Sequence, residues 1–398
     1  MAAKRTNPMT DDEPGAPGGP GRRRAVRVLV PVAVAGVAAA SIGLVPALAS
    51  GSDAPALPKV SAEQLVARVL GSDARSLSGT VQVGADLGVP QGLLDGGASG
   101  ALPGGGGGGQ HGGGQGRASG PEARLTGLLA GSHTLRVAVD GPGRQRVGLL
   151  DKLSEYEIVH NGDQLWGWDS SSNEAVHLTL PAGHGREGDA VPGGLAAATP
   201  QQAARQVLAL AGSDTALSVD GTARVAGRSA YELSVRPRQA GSTLREVRIA
   251  VDAGNGVPLR VLLEPAGGGK PVFDVHFSSV SFGRPAAGTF DFTAPKGAKV
   301  TEQRATGGKP AAGALPGLGA DALNVTGRGW TSVASFRLPV GAKGGDRDAL
   351  ALVKGFGKQV PGGSLLSSRV VNALVTGDGT VYVGAVTPQI LEHAAGAR

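Results

Sequence analysis

The 398-residue sequence contains no cysteine. That excludes disulfides, thiolate metal sites, a thiol nucleophile and a lipid-modified N-terminal cysteine. Aromatic residues make up only 3% of the chain, and three of them are tryptophans. A core must therefore be built from valine, leucine and alanine, with part of the 68 glycines left to low-complexity stretches. Strong net charge is missing too. The formal +6 falls to about +3 once residues 1–49 are set aside, because Lys4, Arg5, Arg22, Arg23, Arg24 and Arg27 there outweigh Asp11, Asp12 and Glu13. So small a balance gives no ground for a nucleic-acid partner.

Catalytic patterns are also absent. There is no His-Glu-x-x-His, no Gly-x-Ser-x-Gly and no serine followed three residues later by lysine. The seven histidines, at 111, 133, 160, 177, 184, 276 and 393, have no metal-type spacing. His160 and His177 fall on strands close enough in order to approach each other, although ordinary half-buried histidines account for them equally. Asp151, Glu155 and Glu157 form a small acidic group that could pair across a hairpin, although an exposed strand face explains it. Asn324-Val325-Thr326 matches a glycosylation acceptor by chance in a bacterial type of composition. The expectation is a non-enzyme with no cofactor, no catalytic residue and no metal site.

What is present begins with an address. Residues 1–24 are polar and rich in proline and glycine, a composition that reads as disordered. Within 25–49, an arginine-led positive region precedes the uncharged VLVPVAVAGVAAASIGLVPALA, and Ala47-Leu48-Ala49 fits a small-x-small cleavage site. The run is also long enough to span a bilayer. It is a cleaved signal or a retained membrane anchor, and in either case the positive-inside rule places the rest of the chain outside the cytoplasm.

Ser61 and Gln64 form the capping-box pair of a helix whose apolar face is Leu65, Val66, Val69 and Leu70, ended by Gly71. From Leu77 the period changes to two. Residues 93–120, with GGGGGGQHGGGQG, read as a flexible insertion that cannot offset its ordering entropy. Its glycines match phosphate-loop patterns trivially but lack the following Lys-Ser/Thr. Strands are then expected at 133–140, 144–150, 154–160, 163–169 and 174–180, with Asn161-Gly162 as a hairpin turn. A helix capped by Thr199, with Pro200 first, interrupts them. Strands at 216–225, 229–236, 244–252, 258–264 and 272–282 follow. Residues 301–319 read as a linker. The remainder, 320–398, reads as a small α+β unit with a strand at 330–338, a helix at 346–357, strands at 367–376 and 381–386, and a closing helix capped by Thr387. The class is α+β, with about eleven antiparallel strands in the larger unit, 58–300.

One stretch stands out. In YEIVHNGDQLWGWDSSSNEAVHL, Trp166 and Trp168 are two apart and share a strand face. Tyr156, Gly162, Trp166, Trp168 and Asp169 make the pattern Y-x5-G-x3-W-x-W-D. This resembles the lipoprotein-carrier superfamily. A second segment, Val272 to Val300, resembles that family's closing strand and its Phe-x-Phe-x-x-Pro-x-Gly motif, here Phe290, Phe292, Pro295 and Gly297. The resemblance implies an unclosed β half-barrel with a helical lid and an apolar cavity for lipid or lipoprotein acyl chains, lined by Tyr156, Trp166 and Trp168. VYVGAVTPQILEHAA, Val381 to Ala395, is similar to the end of the small domain of periplasmic regulators of the anti-sigma-factor type. That likeness implies an alternative: a regulator that senses envelope state through a membrane-bound anti-sigma partner. The Gly-rich insertion departs from the family pattern.

Overall fold

The computed structural model describes residues 54–72, 74–88, 130–151, 154–180, 199–304, 324–337 and 357–396. The expected leader, the address segment, the Gly-rich insertion, the 305–319 part of the linker and the body of the 346–357 helix lie outside these residues.

Helix α1 (Ala62–Leu70) starts where expected. Ser61 Oγ accepts from the Gln64 amide, and Gln64 Oε1 accepts in return from the Ser61 amide. Ala62, Leu65 and Val69 are its buried stripe, at the i, i+3, i+7 spacing of one helix face. Leu70, expected on that stripe, is exposed instead, because it lies about 100° round the helix from Val69. Helix α2 (Pro200–Leu210) is capped by Thr199, whose hydroxyl accepts from the Gln202 amide, and Pro200 sits where no amide proton is needed.

Twelve strands form the large sheet. The first six are β1 (Ser76–Asp86), β2 (Ala130–Asp140), β3 (Arg144–Leu150), β4 (Glu155–Asn161), β5 (Gln164–Asp169) and β6 (Glu174–Thr179). After α2 come β7 (Thr215–Val225), β8 (Arg228–Pro237), β9 (Leu244–Asp252), β10 (Pro258–Pro265), β11 (Phe273–Ser281) and β12 (Lys299–Arg304). Their spatial order is β12-β6-β5-β4-β3-β2-β1-β11-β10-β9-β8-β7. Two consecutive meanders are thus joined at one seam, β1 against β11. At that seam a β-bulge follows Thr80, and a Cβ on Gly79 would stand 2.3 Å from the Ser279 carbonyl oxygen, so only glycine fits.

Two expectations are corrected here. The sheet has twelve strands rather than about eleven, and it is mixed rather than antiparallel, because β12 runs parallel to β6. The residues responsible, Lys299 to Arg304, straddle the expected linker boundary. All six are exposed, so no burial pattern betrayed them. Among the described residues the sheet does not close, since β12 and β7 are its two edges. It curls nonetheless, and β7 approaches β11 from four places away in the order.

One face of this sheet is largely apolar, with His160 and Asp169 its buried polar exceptions in β4 and β5. Val81, Leu135, Val147, Ile158 and Leu165 from the first meander share one core with Leu233, Ile249, Val261 and Phe277 from the second. The apolar sides of α1 and α2 belong to the same core, with α1 against β7 and α2 against β10 and β11. The opposite face of β8–β11 is charged. Glu246 and Glu264 face each other in register, a repulsive arrangement relieved by Arg248, 3.2 and 3.6 Å from them. Asp274 pairs with Arg260 at 2.7 Å.

Glu232 lies among these charges, and burial raises its carboxyl above the ordinary range against the pull of Arg248 and Arg260. A carboxyl raised on folding binds its proton more tightly in the native state. Its neutral form is therefore no liability below the ordinary pKa near 4.5, and stability is lost as pH rises from there through the raised value. Glu232→Gln should accordingly raise the denaturation midpoint at pH 7 and leave it unchanged at pH 4. Paired melts at the two pH values check this, and an equal shift at both would refute the ionisation argument.

The second sheet has six strands in the order β13-β14-β18-β17-β16-β15: β13 (Asn324–Thr326), β14 (Val333–Arg337), β15 (Lys358–Val360), β16 (Gly363–Ser367), β17 (Asn372–Thr376) and β18 (Thr380–Gly384). Helix α3 (Pro388–Ala394) covers one face through Leu391, which packs with Val333, Leu365, Leu374 and Val386. Thr387 is its N-cap residue, but its side chain makes no capping hydrogen bond, unlike the expectation. Ser367–Thr376, expected as one strand, is two, broken at Ser368, whose hydroxyl accepts from the Val370 and Val371 amides. Asn324-Val325-Thr326 is the fully exposed strand β13.

The two sheets dock. Ser242 bridges to Val386, and the Thr243 and Thr387 amides donate to the carbonyls of Ala385 and Gly241 at 3.0 and 2.8 Å. Gly241 has φ +93, and a Cβ there would meet Ile390 at 2.3 Å. Trp330, expected on a strand, sits in the 3-10 turn Gly329–Thr331 and inserts into the core of the large sheet, with its indole N–H donating to Thr215 Oγ1 at 2.8 Å.

Candidate functional site

The register separates the three residues expected to line one cavity. Tyr156 is paired with Asp169, and Ile158 with Gly167, on the apolar face. Trp166 is paired with Val159 and Trp168 with Glu157, on the other. Directly opposed residues of an antiparallel pair share a face, so Tyr156 points into the core while both tryptophans point away from it. Tyr156 is buried there opposite Leu149, and its hydroxyl lies 3.4 Å from where a Cβ on Gly167 would be. His160 and His177 are divided in the same way. His160 is opposite Leu165 on the core side, and His177 is opposite Trp166 on the outer side.

What the tryptophans hold is the chain itself. Residues 282–298 cross the outer face from β11 to β12, and Phe292 lies 5.4 Å from the Trp166 ring and 6.4 Å from the Trp168 ring. Trp166 stacks on His177 at 3.9 Å, with only 6° between the planes. His177 Nδ1 meets Glu302 of β12 at 2.7 Å, and the Trp168 indole donates to Asn173 Oδ1. Phe290, in the 3-10 turn Ala287–Phe290, is fully buried against β3 and β4. Ala138, Val159 and Ala175, buried on this outer side, lie outside the main core. The W-x-W-D and F-x-F segments, far apart in sequence, are thus two halves of one strap and its seat. Asp169 completes the seat by holding its turn, since it accepts from the Ser171 amide at 2.8 Å.

Beneath the strap is the second correction to the acidic group. Glu157 is buried rather than on an exposed face. Both its oxygens accept from Arg146 Nη2 at 2.7 Å, and Arg146 Nη1 donates to the Thr289 carbonyl of the strap at 3.1 Å. Sequence spacing gave no hint of this, because Arg146 and Glu157 meet only through the β3–β4 register.

Phe292→Ala should cost about 1–2 kcal/mol, appropriate to a half-buried ring that loses two aromatic neighbours. It should also shift tryptophan emission to the red and speed proteolysis between residues 282 and 304. Emission and cleavage unchanged from the parent would show that the strap does not depend on this ring.

The apolar face is a different environment. Where α1 meets it, a recess of about 640 Å³ opens, walled by Leu57, Val60, Ala67, Tyr231 and Ala253, with Lys59 and Arg68 among its lining. The Tyr231 hydroxyl donates to the Pro58 carbonyl at 2.9 Å, and Thr222 Oγ1 donates to the Pro55 carbonyl at 2.8 Å, which fixes the segment entering α1. No group of metal-ligating side chains occurs among the described residues, and no described helix is long and apolar enough to cross a membrane.

No protein-family model matches the chain, and no curated protein matches it. Solved structures do. The chain is similar to the MucA/MucB complex structure of Pseudomonas aeruginosa, with 16% identity over 84% of this chain and 96% of that one, at a TM-score of 0.41. An uncharacterized conserved protein of Thermus thermophilus is similar over 61% of this chain and 98% of its own, with 14% identity and a TM-score of 0.31. A LolA superfamily protein of Nitrosomonas europaea is similar over 59% of this chain and 99% of its own, with 11% identity and a TM-score of 0.21.

Proposed function

We propose that this chain is an extracytoplasmic, non-enzymatic binding protein whose apolar sheet face accepts a lipid or lipoprotein acyl chain. The observation that carries the reading is that one apolar face, continuous across both meanders, is covered in part by the small helix α1. That helix buries only Leu65, Val69 and one alanine. At about 1.5–3 kcal/mol for each large side chain, this contact is worth roughly 3–6 kcal/mol. A long acyl chain at about 0.8 kcal/mol per CH₂ offers on the order of 10 kcal/mol before ordering costs. An acyl chain therefore has more to gain from this face than α1 has, and it enters beside α1, which stays in place as a partial cover. The Arg22–Arg24 cluster ahead of the apolar 28–49 run supports the extracytoplasmic location.

Mass spectrometry of organic extracts of the full chain recovered from its native envelope tests the proposal. A stoichiometric acyl lipid or lipopeptide is expected. A protein that comes out empty and takes up no hydrophobic probe would overturn it.

A second reading rests on Trp330. Because this residue of the small unit shares the core with α1 and α2, displacement of either helix reaches the small unit directly. The chain would then be a regulator that reports envelope state to a membrane-bound anti-sigma partner. Affinity capture from envelope extracts that recovers such a partner, with its release by added lipid, would support this reading over simple carriage; capture of no partner counts against it.

A further inference from the structure

We infer that the recess beside α1 is the headgroup site for an anionic single-chain amphiphile, a fatty acid or lysophospholipid, with Lys59 and Arg68 as the anion-binding pair. The inference rests on the acyl-binding reading and specifies its ligand. Three observations carry it.

First, the recess is amphipathic in the required sense. Leu57, Val60 and Ala253 line it and also pack against the main core, so its apolar floor continues into the face proposed for the acyl chain. Second, its charge is of one sign. Lys59 and Arg68 are exposed, no carboxylate lines the space, and among the described residues neither cation has an ion-pair partner. The nearby carboxylate of Asp252 is already engaged by Arg228 and by the Gly254 and Asn255 amides. This contrasts with β8–β11, where Arg236, Arg245, Arg248 and Arg260 are each paired with an acid. Third, the walls are held. The Tyr231 hydroxyl is tied to the Pro58 carbonyl, the Arg68 guanidinium lies 5.9 Å from the centre of the Tyr231 ring, and a Cβ on Gly256 would reach the Arg68 carbonyl at 2.7 Å. The β9–β10 turn thus presses directly under the end of α1 that carries Arg68. A volume of about 640 Å³ is within the usual range for small-molecule sites.

The test uses the full chain with palmitic acid, its uncharged alcohol and inorganic phosphate. Two exposed charge-assisted contacts predict that the acid binds about tenfold more tightly than the alcohol at low salt, and that salt erodes the difference. The double variant Lys59→Gln, Arg68→Gln should bring the acid to the level of the alcohol and leave the alcohol unchanged. Both side chains are exposed, and paired melts of parent and double variant check that losing the Arg68 contact with the Tyr231 ring leaves the fold intact. A photoreactive analogue of the acid should label residues 54–72 and 228–253. If acid and alcohol bind equally, or the label falls elsewhere, the headgroup assignment fails while the acyl reading stands. If neither binds, both fail together. Phosphate that displaces the acid at comparable concentration would identify a plain anion site and overturn the amphiphile assignment.

Discussion

Replacing Trp330 with alanine is expected to cost about 3–5 kcal/mol, the usual loss for a large aromatic removed from a packed core. The residue is 7% exposed and belongs to the core cluster of the large sheet although it precedes a strand of the small one. Its loss should do more than lower stability. A single unfolding transition requires the two sheets to be energetically coupled, and the remaining interface is polar and small: backbone hydrogen bonds around Gly241–Thr243, Ile390 beside Gly241, the Thr243 hydroxyl on the Val370 carbonyl, Thr331 on Gln239, and Arg369 with Asp86, Leu87 and Lys270. Denaturation of Trp330→Ala should therefore split into two transitions, the small unit melting first. Thr215→Val, which removes the acceptor of the indole N–H and of the Gly212 amide, should cost about 1–2 kcal/mol and keep one transition. A single, unshifted transition for Trp330→Ala would show that the backbone contacts alone join the units.

The second large effect belongs to Arg146. Removing it strands the Glu157 carboxylate beneath the strap, where the side chain is only 11% exposed, and releases the Thr289 carbonyl. Breaking a buried pair from one side costs about 3–5 kcal/mol, and the partial exposure of Arg146 brings the expectation to about 3. Arg146→Leu should therefore be far worse than Arg146→Leu combined with Glu157→Leu, which leaves no orphaned charge. Chemical denaturation of the two single variants and the double gives the coupling directly. Additive losses would mean that the pair is solvated and that the strap is held by its other contacts, Phe290, Phe292 and the Arg284–Asp140 pair among them.

Much of the fold was legible in local patterns. The Ser61/Gln64 box and the Thr199-Pro200 start announce themselves within four residues and are present, while the hairpin turn expected at Asn161-Gly162 falls one residue on, at Gly162-Asp163, because Asn161 still pairs with Gln164. The tryptophan face was legible too, since alternation alone puts Trp166 and Trp168 together. What alternation cannot say is which face of a strand meets the core. Tyr156 looked like a companion of the tryptophans and lies behind them, because that depends on the β4–β5 register rather than on either strand alone. The β12 strand was illegible for a related reason. An exposed edge strand has no buried side to mark it, and its partner β6 is more than a hundred residues away in sequence. The recess beside α1 gave no sequence signal either. Lys59 and Arg68 are unremarkable residues, and what distinguishes them is the lack of acids around them in space.

The strand order also bears on how the protein can be assembled as it emerges from its amino end. The meander β1–β6 can pair from local hairpins alone, apart from the long β1–β2 connection, but it then presents two open rims, one on β1 and one on β6. Open rims of this kind template intermolecular pairing. Nothing in the next stretch of chain, β7–β10, relieves either rim. Both are closed by one short run, Phe273 to Arg304: β11 against β1, then the strap, then β12 against β6. A nascent chain therefore exposes the rims of β1 and β6 for most of its length, and both are covered almost at once when this run arrives, which leaves β7 and the short, charged β12 as the edges. Partners that shield β1 and β6 would be needed up to that point and not beyond it.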